Sequence, residues 1–287
     1  MHSVRRRRVT KKPGSGRPHE YGIYQYLFYK NEKQKMFIKK LLKFTLPKTI
    51  LQATHRRGFE NTLEKEYENL STQQVFTKIY ENEAWGKSDD LTQPFCSGRG
   101  SHDNDIVASY VENVKRFLIA LDKKPNVIDL GCGDFFVGEK LREYCDGYIA
   151  CDIVPSLISF NIKKYKHLNV DFRILDLTVD DLPKGDVVFI RQVFQHLSNA
   201  HVKNAISKIQ VGYRYLVLTE HIPSQSGFEP NLDKPAGPGI RLSLGSGLVL
   251  TKHPFNLKTI DEHVLCEVPQ YGGTIRTTVY TLAQDAH

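Results

Sequence analysis

Four residues near the middle of the chain have the types and spacing needed to bind a nucleotide-like cofactor. An apolar run of strand length that contains Asp129 leads directly into Gly131 and Gly133. Two glycines let the backbone turn sharply and approach a ligand closely. A second apolar run ends on Asp152, where a carboxylate can accept both hydroxyls of a ribose at the carboxyl edge of a parallel sheet. Together the two signals predict a nucleotide-type binding turn.

The residues missing from this turn narrow the choice of cofactor. A dinucleotide fold needs a third glycine three residues after Gly133, but Phe136 stands there, and a Walker-type lysine is absent as well. Asp129, two positions before the first glycine, suits a cofactor whose head carries an ammonium and a sulfonium rather than phosphates. The acidic-x-Gly-x-Gly pattern resembles the first motif of class I S-adenosylmethionine-dependent methyltransferases. That resemblance implies S-adenosylmethionine as the cofactor.

The rest of the chain, over residues 73 to 285, follows the element order of this family. The resemblance implies an α/β fold, a Rossmann-like, doubly wound sheet of seven strands with the last strand antiparallel. Two runs of period 2, joined by a tight turn at Gly272-Gly273, predict the closing hairpin that separates these methyltransferases from dinucleotide-binding dehydrogenases. Helices are expected over 73–83, 106–121, 155–167 and 199–209, with another beginning at Val137, and strands over 126–130, 147–151, 170–175, 186–190, 215–219, 264–268 and 274–282.

The residues expected to bind the cofactor lie at the ends of the first four strands. In the family the residues after the third strand contact the adenine, which implies this role for Asp176 and Leu177. Gln192, on the loop after the fourth strand, is a candidate to orient either cofactor or substrate, whereas a surface charge is an equal alternative for Arg191. The full predicted cofactor set is Asp129, Gly131, Cys132, Gly133, Asp152, Asp176, Leu177 and Gln192.

Two histidines are candidates for the catalytic base. Methyl transfer from a sulfonium to a hydroxyl requires positioning of the acceptor and removal of its proton. His196 follows the fourth strand at the carboxyl edge of the sheet, where ligands bind in open α/β folds, although it could instead cap the next helix or pack beside the adenine. His221 follows the fifth strand as the rival base, and its alternative role is that of a buried loop histidine.

Two further segments resemble methyltransferases linked to bacterial surface-polysaccharide synthesis. They are Trp85-Gly86 followed by the glycine-containing loop 97–101, and a pattern of Asn231, Asp233 and Arg241 within the Gly- and Pro-rich connector 223–255. The likeness implies methylation of a sugar or glycan-precursor hydroxyl. A small-metabolite methyltransferase, and a non-catalytic cofactor-binding module that docks to a membrane-associated assembly, are the alternatives.

Each of these segments has a functional and a structural interpretation. The loop 97–101 would cover the cofactor, with its amides or Arg99 meeting the methionine carboxylate, or would form only a capping turn. In the connector, Asn231, Asp233 and Arg241 would bind a hydroxyl-rich acceptor, with Arg241 also suited to an acidic sugar or phosphate. For Asn231 and Asp233 the alternative is hydrogen bonding within the loop itself.

Charge and composition limit the remaining classes of function. Residues 1–50 hold 14 Lys or Arg against Glu20 and Glu32, so their net charge of +12 exceeds the +8 of the whole chain and leaves the remainder mildly acidic. The basicity therefore does not favour a nucleic-acid substrate for the catalytic body. Five cysteines without a CxxC pair indicate a reduced, cytoplasmic compartment and no metal site, and no apolar run is long enough to span a membrane.

The amino-terminal part predicts three regions. Residues 1–35 are expected to be a basic, disordered leader, with nuclear targeting as one interpretation of its arginine run and a solvated tail or an overlong reading frame as others. Residues 36–72 form a basic helical extension in which 36–46 have apolar and lysine faces, and residues 73–287 form the methyltransferase domain. The 36–46 helix is a candidate for peripheral contact with an anionic membrane at the inner face, or for packing on the domain or a second subunit.

Overall fold

The computed structural model describes residues 66–88 and 92–283, so the predicted leader and the 36–46 helix lie outside the described residues. Within the described ranges, no helix is both long enough and apolar enough to cross a membrane. The helices are α1 (Thr72–Glu81), α2 (Arg99–His102), α3 (Asn104–Ile119), α4 (Pro155–Lys164) and α5 (Asn199–Gly212). The strands are β1 (Val127–Leu130), β2 (Tyr148–Asp152), β3 (Asp171–Ile174), β4 (Val187–Arg191), β5 (Tyr215–Pro223), β6 (Thr259–Gln270) and β7 (Gly273–Leu282).

The strands form one sheet in the order β3-β2-β1-β4-β5-β7-β6. Strands β1 to β5 are mutually parallel, and β7 runs antiparallel to both β5 and β6. This arrangement confirms the predicted Rossmann-like, doubly wound sheet with an antiparallel last strand. The strand order reverses between β1 and β4, so the carboxyl ends of these two neighbours border the crevice in which open α/β sheets bind ligands.

Alternating apolar residues bury the central strands on both faces. On one face Val187, Phe189 and Val217 pack in a cluster with Val114 and Leu118 of α3. On the other face the strand residues pack with apolar residues of α1, α4 and α5. Near-continuous apolar strands are expected where helices cover both sides of a parallel sheet, and this double cover fixes the strand ends that carry the candidate site.

Polar side chains set where two of the helices begin. The Ser71 hydroxyl accepts a hydrogen bond from the amide of Gln74, and the Gln74 side-chain oxygen accepts one from the Ser71 amide, which forms a capping box at the start of α1. Asp103 caps α3 by accepting from the amides of Asp105 and Ile106. The preceding residue Ser101 lies inside α2.

The closing hairpin differs from the prediction by one residue at its turn. The turn residues are Tyr271 and Gly272, with φ values of 46° and 75°, and Gly273 is already paired with Gln270 as the first residue of β7. Two-residue turns with positive φ at both positions match the twist of antiparallel strands. Gly273 is needed for another reason, because a Cβ there would collide with the His221 ring and the Ile222 carbonyl oxygen.

The prediction of a helix that begins at Val137 is wrong. The chain forms two short 3-10 turns instead, Gly138–Lys140 and Arg142–Tyr144. Phe135 is buried and has a φ of 61°, and its ring lies where a side chain at Gly138 would be. This packing replaces the first turn of the predicted helix.

Candidate cofactor and acceptor site

Asp152 joins the ends of β1 and β2 at the glycine turn. Its Oδ2 accepts a hydrogen bond from the Gly133 amide at 3.0 Å, and its Oδ1 accepts one from the Val154 amide at 3.1 Å. Gly131 and Gly133 have φ values of 79° and 56°, the left-handed region that favours glycine. Each Asp152 oxygen keeps a second lone pair, so the buried carboxylate suits a ligand that offers two hydroxyls.

The two acidic residues of the motif have raised pKa values. Burial raises the pKa of Asp152 to about 6, against the opposing effect of the Val154 and Gly133 amides. Burial also raises the pKa of Asp129 to about 7, although the carboxylate accepts a hydrogen bond from the Tyr148 hydroxyl at 2.9 Å. Tyr148 belongs to the apolar cluster on the α3 side of the sheet. Asp129 therefore lies behind the glycine turn, while Asp152 holds the turn itself.

A cap segment, defined as residues 92–102, lies against the glycine turn. The Ser97 amide donates to Asp134 Oδ2 at 3.0 Å, and the Asp134 amide donates to Ser97 Oγ at 2.9 Å. Ser97 Oγ also lies 3.0 Å from the Tyr80 hydroxyl, and His102 Nε2 lies 2.7 Å from Asp134 Oδ2. Asp134 and Tyr80 are not among the site residues predicted from the sequence, although Asp134 directly follows Gly133 in the motif.

The loop after β4 forms the opposite wall. A Cβ at Gly131 would collide with the Val193 side chain, and one at Gly100 would collide with the Gln192 amide. Gln192 has a φ of 57°, its backbone amide donates to the Thr219 carbonyl at 2.7 Å, and its side-chain Nε2 is buried without a hydrogen-bond partner. Two glycines that tolerate no side chain and a buried donor without a partner fit a turn built to lie close against a polar ligand.

Arg191 and Arg99 have different partners from those expected. The Arg191 guanidinium donates to Ser101 Oγ at 3.0 Å and to the Gly100 carbonyl, so it links the end of β4 to the cap segment and is not a surface charge. Arg99 Nη1 donates to the Tyr271 hydroxyl at 3.0 Å, which directs this side chain to the β6–β7 turn.

The remaining predicted cofactor residues lie next to the turn and after β3. Asp176 Oδ1 accepts from the amide and the hydroxyl of Thr178, at 2.9 and 2.6 Å, and Leu177 is buried. The Leu175 amide donates to the Asp152 carbonyl, which brings this segment to the end of β2. Burial raises the pKa of the Cys132 thiol well above its usual range, so this side chain is neutral.

His196 lies between Trp85 and the connector. The connector, predicted over 223–255, spans residues 224–258 between β5 and β6 in the structure and keeps these bounds below. Its Nδ1 lies 3.2 Å from the Gly237 carbonyl oxygen, and the Gly237 amide donates to the His196 carbonyl at 3.0 Å. The Trp85 ring packs on the imidazole with 4.8 Å between centroids, and Trp85 Nε1 donates to the Pro238 carbonyl. Because a carbonyl can only accept, Nδ1 carries the proton and Nε2 keeps its lone pair.

The protonation state of His196 follows from its surroundings. Burial lowers its pKa to about 3, and the nearby Lys234 ammonium acts in the same direction. The neutral ring is therefore the dominant form near neutral pH. Its Nε2 lies 3.3 Å from the side-chain nitrogen of Gln195, which is not among the site residues predicted from the sequence.

His221 is buried at the end of β5 and bonded to the hairpin. Its Nε2 lies 2.8 Å from the Gln270 carbonyl oxygen, so this nitrogen carries the proton. Its backbone amide donates to Gln195 Oε1 at 3.3 Å, which makes Gln195 a link between the two histidines. Burial lowers the pKa of His221 as well. These contacts correspond to the alternative of a buried structural histidine.

All three connector residues predicted to bind substrate make hydrogen bonds within the protein, beginning with Asn231 and Asp233. Asn231 Nδ2 donates to the carbonyls of Val249 and His253, each at 2.9 Å, and its Oδ1 accepts from the Val249 amide at 2.8 Å. Asp233 Oδ1 accepts from the Asn199 amide at 2.7 Å at the start of α5. These bonds favour the alternative of hydrogen bonding within the protein itself. The side-chain amide of Asn231 uses its oxygen and its nitrogen in this way, whereas Asp233 is exposed and uses one carboxylate oxygen.

Arg241, the third connector residue, is 1% exposed and holds the loop after β4. Its guanidinium donates to the carbonyls of Phe194 and Leu197 at 2.9 and 2.7 Å, and to Asn199 Oδ1 at 2.8 Å. Its Nε donates to the Leu232 carbonyl in the connector at 3.0 Å. A guanidinium with four donors engaged in the interior has little capacity left for a substrate anion, so the predicted sugar or phosphate contact of Arg241 is not supported by this geometry.

The close contact between the cap segment and the glycine turn leads to a prediction for Gly133→Ala. A Cβ at this left-handed position would collide with Ser97 Oγ, so the free energy of unfolding should fall by about 1–3 kcal/mol. Urea denaturation measures the change. The matched control is Gly212→Ala at the end of α5, where a Cβ meets no heavy atom within 4 Å. Equal effects of the two substitutions would contradict the described packing of the cap.

The comparisons with known proteins agree with this arrangement. Residues 128–210 match the family model of a methyltransferase domain. The matched segment runs from β1 into α5 and contains the glycine turn, Asp152 and His196. No curated protein sequence matches the chain.

Solved methyltransferase structures of low sequence identity align with this chain. The N-methyltransferase NodS from Bradyrhizobium japonicum WM9, in complex with S-adenosyl-L-homocysteine, aligns with a TM-score of 0.52 and 13% identity, over 73% of this chain and 100% of that chain. The magnesium protoporphyrin IX methyltransferase ChlM from Synechocystis PCC 6803, with bound S-adenosylmethionine, aligns with a TM-score of 0.45 and 16% identity, over 74% and 99%. The NodS likeness extends the agreement in fold beyond the matched segment.

Proposed function

We propose that this chain is an S-adenosylmethionine-dependent methyltransferase that methylates a hydroxyl of a sugar or glycan precursor. The observation that carries the proposal is the pair of hydrogen bonds that the Gly133 and Val154 amides donate to Asp152, which hold a ribose-type carboxylate at the glycine turn. The match of residues 128–210 to a methyltransferase domain supports the same reaction class. The choice of a sugar hydroxyl is supported by the subfamily resemblance.

Each predicted cofactor residue has a place in this proposal. Asp152 accepts the ribose hydroxyls, the backbone of the glycine turn with Cys132 lies against the amino-acid tail, and Asp176 with Leu177 borders the adenine. Gln192 offers its buried side-chain amide to the tail from the loop after β4. S-Adenosylmethionine supplies an electrophilic methyl group when bound. Asp129 lies behind the turn. It supports the cofactor site through its hydrogen bond with Tyr148 and through the backbone, and it does not contact the cofactor directly.

His196 is the proposed base for the acceptor hydroxyl. With S-adenosylmethionine and the acceptor bound, His196 Nε2 would take up the hydroxyl proton as the acceptor oxygen is methylated. The Gly237 carbonyl fixes the proton on Nδ1, so Nε2 keeps its lone pair. In this structure that lone pair accepts from the Gln195 side-chain amide at 3.3 Å, and in the proposed reaction the acceptor hydroxyl takes the place of Gln195. A base of low pKa is adequate, because the hydroxyl becomes strongly acidic once its oxygen donates electrons to the methyl carbon.

The raised pKa of Asp152 predicts how cofactor affinity depends on pH. Ionised Asp152 accepts hydrogen bonds through both oxygens, whereas the protonated form loses one acceptor. With a pKa of about 6, the carboxylate is mostly ionised at pH 7.5 and mostly protonated at pH 5. The dissociation constant for S-adenosylhomocysteine should therefore rise about tenfold at one pH unit below that pKa. Calorimetric titrations at pH 7.5, 6 and 5 measure it, and an equally steep dependence in Asp152→Asn would contradict the assignment.

The reaction is tested with methyl-labelled S-adenosylmethionine and fractions of a cell lysate. The proposal predicts label in a sugar or glycan-precursor fraction, recovered by mass spectrometry as a methyl ether. Label confined to protein or RNA, or present as N-methyl groups, would contradict the proposed acceptor while leaving the cofactor assignment in place. His196→Ala protein in the same assay controls for transfer by contaminating enzymes.

A further inference from the structure

Gln195 is a buried polar side chain that joins three parts of the proposed acceptor site. It is 5% exposed and lies in the 3-10 turn Phe194–His196 after β4. Its Oε1 accepts from the His221 amide at 3.3 Å, and its Nε2 lies 3.3 Å from the Gln192 carbonyl oxygen and 3.3 Å from His196 Nε2. The side-chain amide therefore engages its oxygen and both of its N–H groups.

The partners of Gln195 determine which end of its amide faces His196. A backbone N–H can only donate and a carbonyl can only accept, so the oxygen faces His221 and the nitrogen faces Gln192. The remaining N–H is directed at His196 Nε2, which must accept. The Gly237 carbonyl at Nδ1 requires the same tautomer independently. A fixed donor and a fixed acceptor thus meet at one point of the site.

An N–H donor beside an imidazole lone pair matches the hydrogen-bonding capacity of a neutral hydroxyl. A hydroxyl can donate its proton to His196 Nε2 and accept from Gln195 Nε2 through its oxygen. A carboxylate has no proton to give to the imidazole, and an ammonium has no lone pair for the Gln195 amide. The two side chains therefore favour a hydroxyl over an anion or a protonated amine.

We propose that Gln195 and His196 form a hydroxyl-recognition pair, in which Gln195 binds the acceptor oxygen while His196 takes its proton. In the described structure the two side chains bond to each other, and the acceptor hydroxyl inserts between them. The bonds of Gln195 to Gln192 and His221 do not involve this position, so they hold its amide in place during the exchange. Gln195 becomes a specificity-determining residue, and this assignment rests on the proposed function.

The hydroxyl-recognition pair lies next to the residues assigned to the cofactor. Gln192, whose carbonyl accepts from Gln195, has its side-chain amide where a side chain at Gly100 of the cap segment would be. One residue therefore borders both the proposed position of the amino-acid tail and the proposed position of the acceptor oxygen. Methyl transfer requires this proximity, because the acceptor oxygen has to lie in line with the methyl group.

Gln195→Met tests the pair, because methionine has a similar length and no N–H group. The apparent KM for the acceptor fraction of a cell lysate, measured by dilution of that fraction with methyl-labelled S-adenosylmethionine, should rise at least about tenfold. Because Gln195 contacts the acceptor oxygen before and during transfer, kcat should stay within about threefold, and the dissociation constant for S-adenosylhomocysteine within about twofold. His196→Ala lowers kcat instead, so the two variants separate oxygen binding from proton removal.

A second variant keeps one of the internal bonds of Gln195. Gln195→Glu retains an oxygen for the His221 amide, but its ionised side chain has no N–H for the acceptor. It should show the same rise in apparent KM, and it is the variant to use where Gln195→Met does not fold.

Nitrogen NMR shifts of the His196 imidazole test the geometry in the wild-type chain. They should report a proton on Nδ1 and a hydrogen-bonded lone pair on Nε2. In Gln195→Met only the Nε2 shift should change, because the Gly237 carbonyl still holds the Nδ1 proton, whereas displacement of the whole ring would change both. A proton on Nε2 in the wild type would overturn the proposal without any substitution.

Gln225 provides the matched control. It is exposed in the connector, and Gln225→Met should leave the apparent KM, kcat and the imidazole shifts unchanged. Normal transfer by the wild type, together with an unchanged apparent KM in folded Gln195→Met and Gln195→Glu, would overturn the hydroxyl-recognition pair alone. Label found as N-methyl groups would overturn the pair and the proposed acceptor. A wild-type chain that binds no S-adenosylhomocysteine would overturn the proposed function and the pair with it.

Discussion

Asp152→Ala is expected to raise the dissociation constant for S-adenosylhomocysteine by about 10²–10⁴-fold. In the proposed cofactor site the substitution removes two hydrogen bonds from ribose hydroxyls to a charged acceptor, each contributing about 1.5–3 kcal/mol. It also removes the acceptor of the Gly133 and Val154 amides, so the glycine turn loses its fixed position. Isothermal titration calorimetry on the purified chain measures the change.

The Asp152 experiment has a control on the neighbouring strand. Asp171 is exposed at the start of β3, where it contacts only Arg173 among the hydrogen bonds described, and Asp171→Ala should bind S-adenosylhomocysteine like the wild type. Far-ultraviolet circular dichroism checks that both variants are folded. Wild-type affinity in a folded Asp152→Ala protein would remove this residue from the cofactor site.

His196→Ala is expected to lower kcat by about 10²–10⁴-fold while leaving the affinity for S-adenosylhomocysteine unchanged. In the proposed reaction His196 takes the proton of the acceptor hydroxyl at Nε2, whereas the hydrogen bonds of its ring in the described structure go to Gln195 and Gly237 and not to the glycine turn. Initial rates with labelled S-adenosylmethionine, together with calorimetry, separate the two effects.

Two other histidines make this experiment specific. His263 is exposed on β6, and His263→Ala should have wild-type rates. His221 is bonded to the Gln270 carbonyl, and His221→Asn should alter hairpin stability more than kcat. A normal rate in His196→Ala, together with a large loss in His221→Asn, would transfer the role of base to His221.

The fold was predictable from the sequence because its signals are local. Apolar runs of strand length, the glycines after β1 and the hairpin pattern near the end each depend on neighbouring residues, and together they specify a doubly wound sheet. The position of Asp152 followed from the same reasoning, since carboxyl ends of parallel strands meet at one edge. The segment after Phe135 was mispredicted because burial of that aromatic ring overrides the helical pattern.

The site was less predictable because its polar contacts are long-range. Ser97 and Asp134 exchange two hydrogen bonds across 37 positions of the chain, and no periodicity connects them. Arg241 resembles a substrate-binding residue in sequence, and only the path of the connector shows that its donors are used by the loop after β4.

The central claim is that the crevice at Asp152 and the glycine turn binds S-adenosylmethionine. Thermal unfolding of the full chain with and without S-adenosylhomocysteine tests it most directly. At a ligand concentration of 100 times the dissociation constant, the free energy of unfolding should increase by about 2.7 kcal/mol, and the unfolding midpoint should rise by several degrees. An unchanged midpoint with millimolar S-adenosylhomocysteine and with millimolar S-adenosylmethionine would contradict it.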